Sequence, residues 1–511
     1  MRRYVRPRMS EPFYITTAIS YPNGPPHIGH AYEAIAADAI ARFQRSQGRD
    51  VRFQTGTDEH GLKMAQAARA EGVEPRSFAD KMSRLFQEMC DTLNVSYDRF
   101  IRTSQSDHYR ASQAIWKAME ERGDLYLDRY EGWYSVRDEA YYEPAELVSA
   151  EDGSKLSPQG TPVEWTVEES WFFRLSEYQG PLLDYYAANP DFIRPESRRN
   201  EVVRFVEGGL KDLSISRTSF DWGVPVPGSD NHVMYVWLDA LTNYITGLGY
   251  PDDTHLWHRF WPANVHLIGK DVVRFHAVYW PAFLMSAGIA LPKQVYGHGF
   301  LLSRDEKMSK SVGNVVDPMV LADRFGVDAL RYFLLREVPF GQDGSYSAEA
   351  IVNRANAELA NSFGNLVQRI FSMIHKNLDG ILPAPGQAEE DVRLLDLVNC
   401  ATGSEVPESF DRFAFSVGIE SWLRAVFACN SYVDTQAPWA LRKTDPERMA
   451  AVLGTLVAAV RELTRAIAPI IPESADKLLT LIDAGDGGTP IPQPTPLFPR
   501  LELPEDEEEA A

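Results

Sequence analysis

Apolar and polar positions fall into two textures along the 511 residues. Phe13 to Ser20 is an apolar, β-prone run that stops at Tyr21-Pro22-Asn23-Gly24-Pro25-Pro26, the punctuation of a strand leaving a sheet. From His27 to Gln47 apolar residues recur with helical spacing (Ile28, Ala31, Ile35, Ala39, Ile40, Phe43), and the two preceding prolines suit a helix start. Val51 to Thr55 predicts a second strand. A strand, helix, strand unit at the head of a long chain argues for a doubly wound parallel sheet of the α/β class.

At Leu125 the texture changes. Tyr126 to Thr166 is rich in Tyr, Trp, Gly, Pro and Glu without long periodic segments, so an inserted domain is expected over 125–225. The sheet pattern resumes near His232 to Tyr244, with a buried strand at Val265 to Ile268 and a helix at Val272 to Ala287. Beyond Tyr346 the chain reads as helical to Leu481, broken by Pro383-Ala384-Pro385-Gly386. The expected division is therefore 1–124 and 226–300 for the sheet domain, 125–225 for the insertion, 301–345 for a connecting region, and 346–511 for an all-α bundle with an acidic tail. The most apolar stretch, Ala450 to Val460, is far below the roughly 20 residues a bilayer requires and is read as a bundle helix.

Composition narrows the class. With 44% hydrophobic and 24% charged residues the chain can bury large cores, which excludes a mainly disordered protein. Asp plus Glu number 72 against 51 Lys plus Arg, a formal charge of −21 that, taken as a sum, disfavours a polyanionic partner. Cys90, Cys400 and Cys429 are too scattered for a CxxC pair, which fits a reducing compartment and a cytoplasmic protein. Residues 1–8 are basic but lead into no apolar signal core, so they are read as carrying no address.

Two short segments carry chemistry. His27-Ile28-Gly29-His30 sits where the first strand turns into the first helix. Unsatisfied N–H groups and the positive dipole end gather there, and two imidazoles add donors for a phosphate while Gly29 leaves room for a flat base. Lys307-Met308-Ser309-Lys310-Ser311, followed by Val312-Gly313-Asn314, puts two flexible cations on a small-residue loop able to follow a triphosphate. That pentapeptide is expected by chance on the order of once in ten thousand chains, so its occurrence downstream of the histidine pair is not coincidence.

The pair resembles the HIGH and KMSKS signatures of class I aminoacyl-tRNA synthetases. Ala18-Ile19-Ser20-Tyr21-Pro22-Asn23-Gly24, Gly56-Thr57-Asp58-Glu59-His60-Gly61, Tyr235-Val236-Trp237-Leu238-Asp239-Ala240 and Gly297-His298-Gly299-Phe300 extend the resemblance to the methionine-specific family over nearly the whole chain. It implies a Rossmann-like catalytic domain, activation of L-methionine by ATP to methionyl-adenylate, and transfer to the 3′ end of tRNA(Met). His27 and His30 would contact the phosphates, with Gly29 beside the nucleotide; Lys307 and Lys310 would hold the departing pyrophosphate, and Mg²⁺ would bridge phosphate oxygens. Gly269 and Asp271 resemble the family's nucleoside-binding strand end. Ile19, Trp237 and Tyr244 would wall the methionine pocket, Tyr21 and His298 would face its sulfur, and Asp58 would hold the ammonium. Without the resemblance, Trp237 and Tyr244 read as core aromatics.

Many family members carry a zinc knuckle built on CxxC pairs. Here Ser135 and Asp138 stand in the corresponding stretch, so a metal-free knuckle is expected. The helical half would read the CAU anticodon through Asn365 and Arg369, four residues apart on one helix face, and through Trp439 as a stacking plate, although Trp439 also reads as a core aromatic and Arg369 as a surface charge. A monomer is expected, with no membrane or DNA partner. Two competing readings are a shorter-type nucleotidyltransferase and a tRNA-binding regulatory protein with a decayed site. The KMSKS loop and the helical half oppose the first; retention of His27, His30, Lys307 and Lys310 opposes the second. The charge sum is then reinterpreted: cations at Arg194, Arg198, Arg199, Arg204, Lys307, Lys310, Arg354 and Arg369 would form a local stripe for tRNA, giving salt-sensitive binding.

Overall fold

The structure is a computed structural model that describes residues 10–135, 137, 140–150, 152–303, 306–307 and 316–503. Lys310 and Asp138 lie outside the described residues, as do residues 1–8, most of the KMSKS loop and the end of the acidic tail; of Lys307 only the backbone is described.

The described residues form two compact units. The first comprises residues up to Pro26, Gln44–Asp91 and Ser96–His298. Its centre is a six-stranded sheet in the order Arg99–Arg102, Asp50–Thr57, Pro12–Thr17, Val265–Gly269, Val295–His298, Ile193–Arg194. Every neighbouring pair is parallel. The order reverses direction between Pro12–Thr17 and Val265–Gly269, and such a switch point opens a crevice at the carboxyl ends of the strands. Tyr14, Ile15, Leu267 and Ile268 are fully buried in these two central strands, as expected of strands covered on both faces.

A second sheet in the same unit is built differently. Leu125–Ser135 and Glu164–Phe173 pair antiparallel along ten residue pairs, flanked by Ala140–Tyr142 and Leu213–Ser214. At its tip, Ser135 Oγ lies 2.6 Å from Thr161 Oγ1, which lies 2.8 Å from Ser157 Oγ, all three side chains buried. Among the described residues the tip is held by these hydroxyl-to-hydroxyl bonds.

The second unit comprises His27–Phe43, Thr92–Val95 and the described residues from Gly299 onward. It contains most of the first helix, Ile28–Ser46, and the helices of the C-terminal half, including Asn365–Asn377, Phe415–Gln436 and Pro446–Ile467. The apolar stretch Ala450 to Val460 lies inside the last of these. Among the described residues no helix is long and apolar enough to cross a membrane.

One expected helix is irregular. The helix expected over 272–287 is present without a gap over 270–286, but its pitch changes: a 3₁₀ turn (Lys270–Val272) leads through one short α stretch into a π segment (Phe275–Tyr279) and an α-helix (Trp280–Ser286). Pro281 has no N–H for the carbonyl of Ala277, and its ring would crowd that oxygen, so the helix widens ahead of it. The released carbonyl accepts a 2.5 Å hydrogen bond from Tyr186 Oη.

Candidate active site

In the first unit the site residues expected from sequence collect at the carboxyl ends of the strands. Ile19 and Tyr21 follow Pro12–Thr17, Asp58 follows Asp50–Thr57, Gly269 ends Val265–Gly269 with Asp271 two residues on, and His298 ends Val295–His298. Asp58 N donates to Ser20 O at 2.9 Å, joining two of these segments, and Gly269 stands in register beside His298. A Cβ on Gly269 would sit 2.8 Å from Asp271 Oδ1, so glycine is what lets that carboxylate fold back over the strand end.

Trp237 and Tyr244 belong to the helix Val236–Thr246, seven residues apart and so on one face. Trp237 stacks on Phe275 with centroids 3.8 Å apart and planes 5° from parallel. Tyr244 is buried, and its hydroxyl lies 2.6 Å from His276 Nε2. His276 Nδ1 lies 2.9 Å from Val272 O and donates to it, so Nε2 accepts from the tyrosine. Burial pushes the His276 pKa down to about 4, outweighing the Val272 carbonyl, so the ring is neutral near pH 7. Sequence reasoning missed His276. Its available signal was position, on the helix that follows Gly269 and Asp271.

A second buried group lies behind the strand ends. Asp239 accepts from His60 Nδ1 and from His108 Nε2, each at 2.6 Å. Burial raises the Asp239 pKa, but the two histidines outweigh it and hold the carboxyl down at about 2. A carboxyl lowered on folding adds stability above its ordinary pKa, and that stability disappears as pH falls through the folded value. The shift corresponds to about 2 kcal/mol. The stability difference between the wild type and Asp239→Asn, from urea unfolding followed by tryptophan fluorescence, is expected to shrink by that amount between pH 5 and pH 2. A difference independent of pH would refute the assignment.

In the second unit, the His27 and His30 rings lie against each other with centroids 3.8 Å apart and planes tilted by 34°. His27 N donates to His30 Nδ1 and Gly29 N donates to His27 Nδ1, both at 3.1 Å. Each Nδ1 is an acceptor, so in the neutral rings each Nε2 carries the proton and is the donor. Ile28 N donates to Val316 O at 3.0 Å, which ties the histidine turn to the first described residue after the KMSKS loop. The backbone of Lys307 pairs with Leu302.

The helix Asn365–Asn377 carries Asn365 and Arg369 on one face, as their spacing predicts. Trp439 is 50% exposed, which excludes a core role. The Arg369 guanidinium lies 5.5 Å from its ring centroid and pairs with Asp434 at 2.7 Å. The expected cationic stripe is partly neutralised in the same way. Arg194 pairs with Asp191, Arg198 with Glu201, and Arg354 with Glu337 and Glu358.

The family model described as tRNA synthetases class I (M) matches residues 13–371, and the anticodon binding domain of methionyl tRNA ligase matches residues 411–495. The chain belongs to the methionyl-tRNA synthetase family. Methionine--tRNA ligase of Brucella suis biovar 1 is 58% identical over 505 residues, covering 96% of this chain and 98% of that one. Its namesake from Rhizobium meliloti is 55% identical over 515 residues, covering 98% and 100%. Among solved structures, Mycobacterium tuberculosis methionyl-tRNA synthetase in complex with methionyl-adenylate is similar at a TM-score of 0.92 and 55% identity, covering 96% of this chain and 100% of that one. The family membership accounts for a parallel sheet followed by a helical half in one chain.

Proposed function

We propose that this chain activates L-methionine with ATP, forming methionyl-adenylate and pyrophosphate, and transfers the methionyl group to the 3′ end of tRNA(Met). Full-length similarity to methionine--tRNA ligases supports this activity and not a decayed regulatory site. The observation that carries the reading is the similarity over nearly the whole chain to methionine--tRNA ligases and to a solved synthetase holding methionyl-adenylate; the Ile28–Val316 hydrogen bond adds that the histidine turn is tied to the residue following the lysine loop. The methionine carboxylate attacks the α-phosphorus in line. Nε2–H groups of His27 and His30 meet the charge growing on the phosphate oxygens, Gly29 borders the nucleotide, and Lys307 and Lys310 follow the departing pyrophosphate. The ribose hydroxyl of the tRNA terminus then takes the methionyl group.

Asp58 holds the substrate ammonium, while Gly269 and Asp271 hold the ribose. Ile19, Trp237 and Tyr244 wall the side-chain pocket, with Tyr21 and His298 toward the sulfur; His276, bonded to Tyr244, joins that wall. Mg²⁺, a hard cation taking oxygen ligands, accompanies the ATP phosphates and offsets their charge. Residues 125–225 act as a zinc-free inserted module, and the chain works as a cytoplasmic monomer. Asn365, Arg369 and Trp439 read the anticodon. The decisive assay is exchange of labelled pyrophosphate into ATP, dependent on methionine and on no other amino acid, together with charging of tRNA(Met).

For the anticodon surface, an exposed aromatic under a guanidinium is a platform for a single-stranded base, and such stacking contributes about 1–3 kcal/mol per base. Trp439→Ala is expected to lower kcat/KM for tRNA(Met) charging by about tenfold or more while leaving pyrophosphate exchange within twofold. Equal losses in both assays would make Trp439 structural.

A further inference from the structure

The segment carrying Asp58 is clamped on both sides. Glu59 is fully buried, and its carboxylate accepts from Arg102 Nε (2.7 Å), Arg102 Nη2 (3.1 Å), Thr57 Oγ1 (2.8 Å) and Ser104 Oγ. Its backbone N donates to Thr103 Oγ1 (2.8 Å), and its carbonyl accepts from Trp222 Nε1 (2.5 Å). These bonds hold the segment to its own strand, to the end of the neighbouring one and to the loop carrying Trp222.

His60 holds it to a different element. Its ring is 1% exposed, packed edge-on against Tyr109 and Trp222, with Nε2 2.9 Å from Tyr109 Oη and Nδ1 2.6 Å from Asp239 Oδ2. Asp239 lies on the helix Val236–Thr246, and its second oxygen is held by His108, whose Nδ1 reaches Thr246 Oγ1 on the same helix at 3.0 Å. At 100° per residue Asp239 points about 160° away from Trp237, while Trp237 and Tyr244 share a face. The His60–Asp239–His108 bridge therefore sets the rotation of this helix about its axis. It links the segment with Asp58 to the helix with two pocket walls, although His60 and Asp239 are 179 residues apart in sequence.

We infer that His60 is a positioning residue for amino-acid recognition: through Asp239 it sets the separation between the ammonium site at Asp58 and the side-chain walls Trp237 and Tyr244. It touches no substrate itself. This rests on the proposed role of Asp58. Removing the link leaves ATP binding intact but lets the two halves of the amino-acid site drift, so a ligand anchored at both ends suffers more than one anchored at the side chain alone.

The test compares L-methionine with 4-(methylthio)butanoate, the same molecule with hydrogen in place of the amino group, by equilibrium dissociation constants and by methionine-dependent pyrophosphate exchange. In the wild type methionine is preferred, and Asp58→Asn is expected to abolish most of that preference. Asp58→Asn without effect would overturn the reading of Asp58. Given that effect, His60→Leu is expected to lower the preference about tenfold with KM for ATP within twofold, and His60→Asn, whose amide can reproduce the Nδ1 donor, is expected to retain it within about threefold. If His60→Leu does not fold, Asp239→Asn carries the test, with an expected loss of about fivefold. An unchanged preference in the folded variants, or equal weakening of both ligands, would overturn the inference, because a merely structural histidine lowers active protein without moving the ratio.

Discussion

Gly29→Ala is expected to lower kcat for methionine-dependent pyrophosphate exchange by about a hundredfold, with KM for methionine within threefold. An alanine Cβ at this position would lie 2.9 Å from His27 Cε1 and 3.0 Å from His27 Nδ1, closer than side-chain carbons pack. The neighbour that must give way is the His27 ring itself. Swinging it aside breaks the Gly29 N to His27 Nδ1 bond and disturbs the 3.8 Å ring contact with His30. Displacing an aligned donor by about 1 Å can cost about 10²-fold in rate. Alanine favours the helix by up to about 1 kcal/mol over glycine, so the fold is expected to tolerate the change. Steady-state exchange kinetics check it, and a kcat within threefold of the wild type would show that the ring geometry is not used in the chemistry.

Arg331→Met is expected to destabilise the second unit by about 3–5 kcal/mol, the range for removing one partner of a buried ion pair. The guanidinium is fully buried and donates to Asp38 (2.6 Å), Leu93 O (3.1 Å), Ile470 O (3.0 Å) and Pro469 O (3.0 Å). Asp38 lies on the helix that begins at the histidine turn, so one side chain joins that helix to the C-terminal helices within the unit. Methionine matches the volume but supplies no proton, leaving Asp38 charged and three carbonyls short of a donor. Arg42, 2.7 Å from Asp38, remains but is partly exposed. The double variant Asp38→Leu/Arg331→Met is expected to recover part of the loss, since replacing both charges removes the stranded carboxylate. Urea unfolding followed by far-UV circular dichroism measures both, and a loss below 1 kcal/mol would show that the site admits water.

Features that depend on nearby residues were readable from the chain alone. The strand, turn and helix around Phe13 to Gln47, the two signature segments, the face shared by Asn365 and Arg369, and the change of texture at Leu125 all follow from backbone preference and side-chain period within a few turns. These local patterns, with their order, were enough to indicate the family. The widening ahead of Pro281 went unread but is also local in origin, because a missing N–H four residues after Ala277 is a covalent fact.

Tertiary structure decided how distant segments act on one another. Asp239 stood in a recognisable segment without a role until His60 and His108, remote in sequence, closed on its two oxygens. Nothing in the local sequence pairs Asp38 with Arg331, and only burial turned them into a pair that cannot be broken singly. Trp439 could be plate or core, and its exposure removes the core reading. Sequence determined which groups are available and the local backbone that carries them. The fold decided which are desolvated and paired, because solvent access and long-range contact depend on the path of the whole chain.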